Sequence, residues 1–405
     1  MNSHSTDATA SITNTSTPAP ITLFDTTLRD GEQSPGIALD AAAKVEIARL
    51  LSEMGVSVVE AGFPITSRGD FAAVEAVARA IGRRTTVCAL SRARREDIET
   101  AAAAIAQAEK RRIHCFIGTS PLHRRNKLGL TRDQVVEQAV SAIRMARNIT
   151  DDVEFSPEDA TRTESAFLTR VITAAIDAGA TTINLPDTVG CAMPGWFGTF
   201  VRETMENVRQ KIAHPEAVRW SVHCHNDLGL ATANSIAAIQ EGVDQVECTV
   251  NGIGERAGNA ALEEVVMAMT IQPEQFPRIH TVDTGRLGAC SQRVSALTGY
   301  AIAATKPVVG RNAFAHESGI HQDGVLKCAD TYEIMRPEQV GWHGERIVLG
   351  KHSGRHAFHD RMRALGYEIN TQESRFRAAF QRFKQLAERS GVVDDTAIHT
   401  MMRTL

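Results

Sequence analysis

From Ile21 onward, short apolar and β-branched runs alternate with longer amphipathic stretches. The repeat is about 30 residues, the length of one strand-plus-helix unit. Predicted strands fall at 21–27, 57–62, 86–90, 113–118, 153–156, 181–185, 220–225 and 245–250. Between them, Ala-rich segments such as 41–54, 71–80, 96–108 and 133–147 carry apolar residues at helical spacing. Near-continuous apolar strands separated by amphipathic helices indicate a parallel sheet covered by helices. Eight such units argue for a closed (β/α)8 TIM barrel, with a doubly wound open sheet as the alternative. The polar residues favour closure. Arg29 and Asp30 follow the first strand, Glu158 the fifth, Thr188 the sixth and Asn259 the eighth, while His223 and His225 end the seventh. A closed barrel gathers these at its C-terminal face, where barrel chemistry sits, whereas an open sheet keeps the first and eighth strands apart.

Beyond Pro277 the rhythm stops. Segments 284–298 and 373–390 read as amphipathic helices, and 310–327 and 341–358 as Gly/His-rich loops. The expected organisation is a disordered tail at 1–20, a catalytic barrel at 21–280, and helical C-terminal subdomains at 281–405 that cover the active site.

Composition narrows the partners. A formal net charge of −4, with acids and bases mixed along the chain, gives no reason to expect nucleic acid. The seven cysteines are scattered and never form a C-x-x-C pair, which suits reduced thiols in a cytoplasmic protein. The first 20 residues contain no Lys or Arg and no apolar core, unlike a signal or transit peptide. No apolar run approaches the roughly 20 residues of a membrane span, so no membrane is expected.

Three segments carry candidate chemistry. In His223-Cys224-His225, alternate side chains of a strand face the same way, so both imidazoles project together as half of a divalent-metal site. Two core histidines held by hydrogen bonds are the simpler account of an isolated pair. In Arg29-Asp30, a hard oxygen ligand stands beside a guanidinium suited to developing oxyanion charge, although a surface ion pair needs nothing more. The Gly-rich stretch 251–259 precedes a helix expected near Ala260, yet it fits neither a phosphate loop nor a dinucleotide fingerprint.

Together these segments acquire a meaning that none has alone. Asp25-Thr-Thr-Leu-Arg-Asp-Gly-Glu-Gln33, with Lys44 eleven residues on, resembles the first signature of the 2-isopropylmalate, homocitrate and citramalate synthase family. Trp220-Ser-Val-His-Cys-His-Asn-Asp-Leu-Gly229 resembles its second, and 155–159, 184–190 and 251–259 are similar to further family segments. The resemblance implies that Asp30, His223, His225 and Asn259 bind a divalent metal ion: Mn²⁺ by resemblance, with Mg²⁺ or Zn²⁺ equally compatible with the donors. It implies acetyl-CoA as co-substrate, Arg29 and Thr188 on the 2-oxo acid, and His114 and Ser156 beside its pocket. Glu158 and His321 become the candidates for proton transfer, with Arg29 stabilising charge and Tyr332 lining the acetyl-CoA side. His321 would reach the partner's active site in a homodimer.

The implied activity is acyl transfer from acetyl-CoA to 3-methyl-2-oxobutanoate, because 316–327 and 119–123 are more similar to isopropylmalate synthases than to homocitrate synthases. Homocitrate or citramalate synthesis is the alternative, followed by a non-catalytic binding subunit. Two departures from the family accompany this reading. The chain is expected to lack the leucine-sensing domain, and with it feedback inhibition. Cys191 also stands where relatives commonly place an aromatic residue.

Overall fold

In the computed structural model, which describes residues 18–405, eight parallel strands close into a barrel. They are β1 Thr22–Asp25, β2 Val58–Gly62, β3 Thr86–Arg92, β4 Arg111–Gly118, β5 Val153–Glu158, β6 Thr182–Asp187, β7 Arg219–Cys224 and β8 Gln245–Cys248. Closure is made by β1 against β8, in register from Thr22↔Gln245 to Asp25↔Cys248, which rules out the open sheet. The tail expected at 1–20 falls outside the described residues except for its last three.

Eight helices form the outer layer: α1 Ala41–Met54, α2 Arg68–Ile81, α3 Arg95–Ala104, α4 Arg132–Arg147, α5 Ser165–Asp177, α6 Pro194–Arg209, α7 Ala231–Gln240 and α8 Leu262–Ile271. Local chemistry sets their limits. The Asp40 carboxylate accepts the Ala43 N–H at 2.8 Å, satisfying one orphan donor at the start of α1. Gly55, at φ 95°, ends the helix in the left-handed conformation. Between those caps Ile47, Ala48, Leu51 and Met54 form the buried stripe. At α4, Thr131 and Gln134 form a reciprocal capping box.

The barrel interior is strongly charged. Arg112, Glu154 and Gln245 occupy a lower layer; Glu60, His114, His223 and Glu247 lie above it, and all are buried. Such groups tolerate burial only when paired, and their pairing differs between the layers, as described below.

The remaining helices are α9 Leu287–Thr298, α10 Gly319–Lys327, α11 Arg355–Ala364, α12 Ser374–Ser390 and α13 Asp395–Arg403. Val308, Val309, Phe314, Val340 and Trp342 continue the barrel core, whereas α11–α13 enclose a second core around Phe358, Phe376 and Phe383. Two expected loops need correction, because 310–327 contains α10 and 341–358 contains the start of α11. Helix α10 is stabilised from outside its own sequence: the Gln322 amide donates to the carbonyls of His316 at 2.8 Å and Val348 at 2.9 Å.

Candidate metal centre and active site

The turn after β1 carries Arg29 and Asp30, and a buried lysine braces it from behind. Lys44 on α1 pairs with Glu32 at 2.5 Å and donates to the Leu28 carbonyl at 3.3 Å. Arg29 bonds Asp30 Oδ2 and Glu60 Oε2, each at 2.7 Å. Burial alone would raise the Asp30 carboxyl, but Arg29, then His225 and His223, outweigh it and hold the group well below the usual range. Asp30 is therefore a fixed carboxylate.

His223 on β7 and His225 just beyond it face the same point. Their Nε2 atoms stand 3.2 Å apart, with Asp30 Oδ2 at 3.8 and 3.9 Å. Burial pushes both imidazoles down to about 4, so they are neutral and able to act as ligands. His223 Nδ1 pairs with Glu247 Oε2 at 2.7 Å, which turns its Nε2 lone pair toward the cluster. Asn259 pairs through its backbone with His225 and donates its Nδ2 to Asp30 Oδ1 at 2.7 Å. Its Oδ1 is buried without a partner, as is His225 Nδ1. Gly254 is required here, since a Cβ would lie 2.1 Å from Asn259 Nδ2 and 2.8 Å from Asp30 Oδ1.

A neutral imidazole offers one nitrogen lone pair, so two such rings beside a carboxylate and an unpartnered amide oxygen make a set of available ligands. The donor set therefore fits a divalent metal ion. Among the described residues, Glu60–Cys88–His114 and His114–Glu154–Glu247 also bring three donors together. In those groups Glu60 and His114 are already committed to each other at 2.9 Å, and burial holds the Cys88 thiol well above its usual range. His114 is pushed up to about 9: burial opposes the shift, but the Glu60 hydrogen bond and charge dominate.

A cavity of about 280 Å³ opens beside the donors and contains Arg29, Asp30, His114, Ser156, Glu158, Thr188, His223 and His225 in its wall. Phe63, Leu90, Phe116 and Pro186 make one side apolar. His114 Nε2 meets Ser156 Oγ at 2.7 Å, and Asn184 donates to the same hydroxyl at 2.9 Å. Thr188 Oγ1 accepts the Asp159 N–H at 2.9 Å, leaving its own proton to donate. Glu158, the last residue of β5, bonds Lys127 Nζ at 2.7 and 2.9 Å.

Nine of the eleven sequence-predicted site residues gather at this cavity. Asn259 stands behind its wall against Asp30, and eight others line it. His321 and Tyr332 do not: both are exposed on or beside α10, with their rings 4.2 Å apart. Sequence reasoning missed Glu60 and Glu247. The readable signal was a carboxylate inside an otherwise apolar strand, in Val58-Val-Glu-Ala-Gly62 and Gln245-Val-Glu-Cys248.

A closed barrel with this donor set at its C-terminal mouth defines a class of enzymes. Residues 20–294 match the HMGL-like family model, and residues 308–391 match the homocitrate synthase post-HMGL domain-like model. Solved hydroxymethylglutaryl-CoA lyases share the fold. The Pseudomonas aeruginosa enzyme aligns with TM-score 0.59 at 22% identity, covering 71% of this chain and 96% of that one. The Brucella melitensis enzyme aligns with TM-score 0.56 at 21% identity, covering 69% and 99%.

Sequence relatives narrow the class further. The 2-isopropylmalate synthase of Nitrosococcus oceani is 54% identical over 380 residues, 94% of this chain and 73% of its own length. That of Nitrosomonas eutropha is 53% identical over 382 residues, 94% and 74%. The chain belongs to the 2-isopropylmalate synthase family of HMGL-like acyltransferases. Membership implies a divalent metal ion, acetyl-CoA and a 2-oxo acid.

Proposed function

We propose that the chain transfers the acetyl group of acetyl-CoA to 3-methyl-2-oxobutanoate, forming 2-isopropylmalate and CoA. The observation that carries this reading is the cavity itself, with free metal donors and Arg29 on one side and an apolar wall on the other. Three further cationic groups line it, but Lys127 is paired with Glu158, Arg256 with Asp227 and His114 with Glu60. A branched aliphatic group suits that wall better than the second carboxylate of 2-oxoglutarate, which would need an unpaired cation.

Asp30, His223, His225 and Asn259 would hold the ion, with Mn²⁺ the first choice and Mg²⁺ or Zn²⁺ compatible. When bound, a divalent cation supplies Lewis-acid polarisation of the 2-oxo acid's ketone. Thr188 Oγ1 donates to the substrate carboxylate, and His114 and Ser156 border the substrate pocket. Glu158 takes a proton from the acetyl methyl, and the carbanion formed attacks the ketone carbon. Arg29, already fixed by Asp30 and Glu60, faces the developing alkoxide without reorganising. Water then cleaves the thioester and releases CoA.

The partner subunit's His321 completes the proton transfers and the partner subunit's Tyr332 borders acetyl-CoA, in a homodimer whose helical regions cover each other's barrel mouths. Support comes from the exposed positions of His321 and Tyr332 beside exposed Ile320 and Ile334. Residues 21–280 act as the catalytic unit and 281–405 as its cover. Seven free thiols suit the cytoplasm, and no helix among the described residues is long and apolar enough to cross a membrane.

A thiol-release assay with a panel of 2-oxo acids tests the reading. The highest kcat/KM is expected with 3-methyl-2-oxobutanoate, and a preference for 2-oxoglutarate would replace it by homocitrate synthesis.

A further inference from the structure

The mouth of the barrel holds a second group of chemical residues beside Glu158. His123 begins a single π-helical turn, His123–Leu128, after β4, a distortion that places side chains where a regular helix would not. Its Nδ1 lies 2.9 Å from Asp159 Oδ2 and 3.0 Å from Ser120 Oγ. Its Nε2 lies 3.8 Å from Glu158 Oε1, too far for a hydrogen bond but within reach of a small side-chain rotation.

Asp159 is held to receive that ring. It is buried, and burial would raise its carboxyl, yet hydrogen bonds from His123, Arg162 and Ser120 keep it well below the usual range. Its backbone is left-handed, at φ 66° and ψ 40°, a conformation costly for any residue with a Cβ. The conformation is fixed by Arg162 on the carboxylate at 2.8 Å and by Thr188 Oγ1 on the N–H at 2.9 Å. Gly118 leaves the space the imidazole fills, since a Cβ there would stand 2.8 Å from His123 Cβ. Strained backbone, an ionised buried carboxylate and an imidazole aimed at a second carboxylate exceed what a loop staple needs.

Resting on the reading of Glu158 as the group that takes the acetyl proton, we propose that His123, oriented by Asp159, is the positioning and proton-relay residue behind it. The C–H bond of the acetyl methyl breaks and an O–H bond forms on Glu158. That bond then breaks as Nε2–H forms on His123, while Nδ1–H stays on Asp159 and offsets the new imidazolium charge. His123 passes the proton to water at the mouth, restoring the Glu158 carboxylate, and one proton is taken up where the alkoxide forms. Lys127, on both Glu158 oxygens, holds the carboxylate in place between turnovers.

The test uses the full chain with its metal. His123→Ala is expected to lower kcat about 100-fold, to leave KM for both substrates within about twofold, and to regain at least about tenfold with added imidazole, saturably. A kcat within about threefold of the parent overturns the relay, as does a loss carried by KM or one that imidazole does not relieve. His123→Gln, which can still bond Asp159, guards against misfolding of the alanine variant; it should lose as much kcat, and parental turnover would refute the relay. Glu158→Gln run alongside separates the two claims. If it turns over at the parental rate, the reading of Glu158 fails. If it is inactive while His123→Ala is normal, only the relay fails.

Discussion

Two polar layers lie inside one barrel, and their hydrogen bonding is opposite. In the lower layer Arg112 bonds Asp152 at 2.9 Å, Glu154 at 2.9 Å and Gln245 at 2.7 Å. Gln245 in turn donates to Glu154 at 2.7 Å and Ser221 at 2.9 Å, so one guanidinium is shared by two carboxylates and both amide hydrogens are used. In the upper layer His225 Nδ1, Glu247 Oε1 and Asn259 Oδ1 are buried without partners, and two imidazole nitrogens face each other at 3.2 Å. A buried polar group left unpaired costs roughly 1–3 kcal/mol. A fold that saturates one layer and leaves its neighbour open has built structure in the first and a receptor in the second.

Substitutions should separate the layers by what they damage. His223→Ala removes a proposed ligand. It should lower turnover by about 10³-fold or more, since Lewis-acid stabilisation is worth several kcal/mol, while shifting the melting temperature of the metal-free protein little. Thiol release and thermal melting check the pair of outcomes. Arg112→Met should do the reverse. It leaves Glu154 and Asp152 uncompensated, so denaturant unfolding should show a loss of about 3–5 kcal/mol, with metal affinity unchanged in the fraction that folds.

A finer cut is Glu247→Ala, which frees the His223 ring without touching a ligand atom. Calorimetric titration should show metal binding weakened about 10–100-fold, whereas the same change at Glu154 should leave it alone. Smallest is the linkage effect. At a hundredfold excess over its dissociation constant the metal should stabilise the protein by about 2.7 kcal/mol. EDTA should therefore lower the melting temperature of the parent but not of His223→Ala.

The same contrast marks what could be read from the chain. Where local chemistry decides, the pattern suffices: the amphipathic stretch 41–54 coincides with α1, which Asp40 caps and Gly55 ends. The strand-end residues Asp30, His223 and His225 were legible because period and position both pointed into the mouth. Where distant contacts decide, reading failed. Gly319–Lys327 has the composition of a loop and becomes helix because Gln322 is held by His316 and Val348. Strand β5 runs past the predicted end at Ser156, because pairing with β4 carries it through Pro157 to Glu158. The His123–Asp159 pair, 36 residues apart, has no local signature, because it forms only when β4 and β5 lie side by side.

The central claim is that Asp30, His223, His225 and Asn259 grip one cation. Electron spin-echo envelope modulation of the Mn²⁺-loaded protein tests it most directly. One Mn²⁺ per chain with two imidazole nitrogens coupled to it is predicted, falling to one in either His223→Ala or His225→Ala. Unchanged nitrogen coupling in both variants would contradict the account.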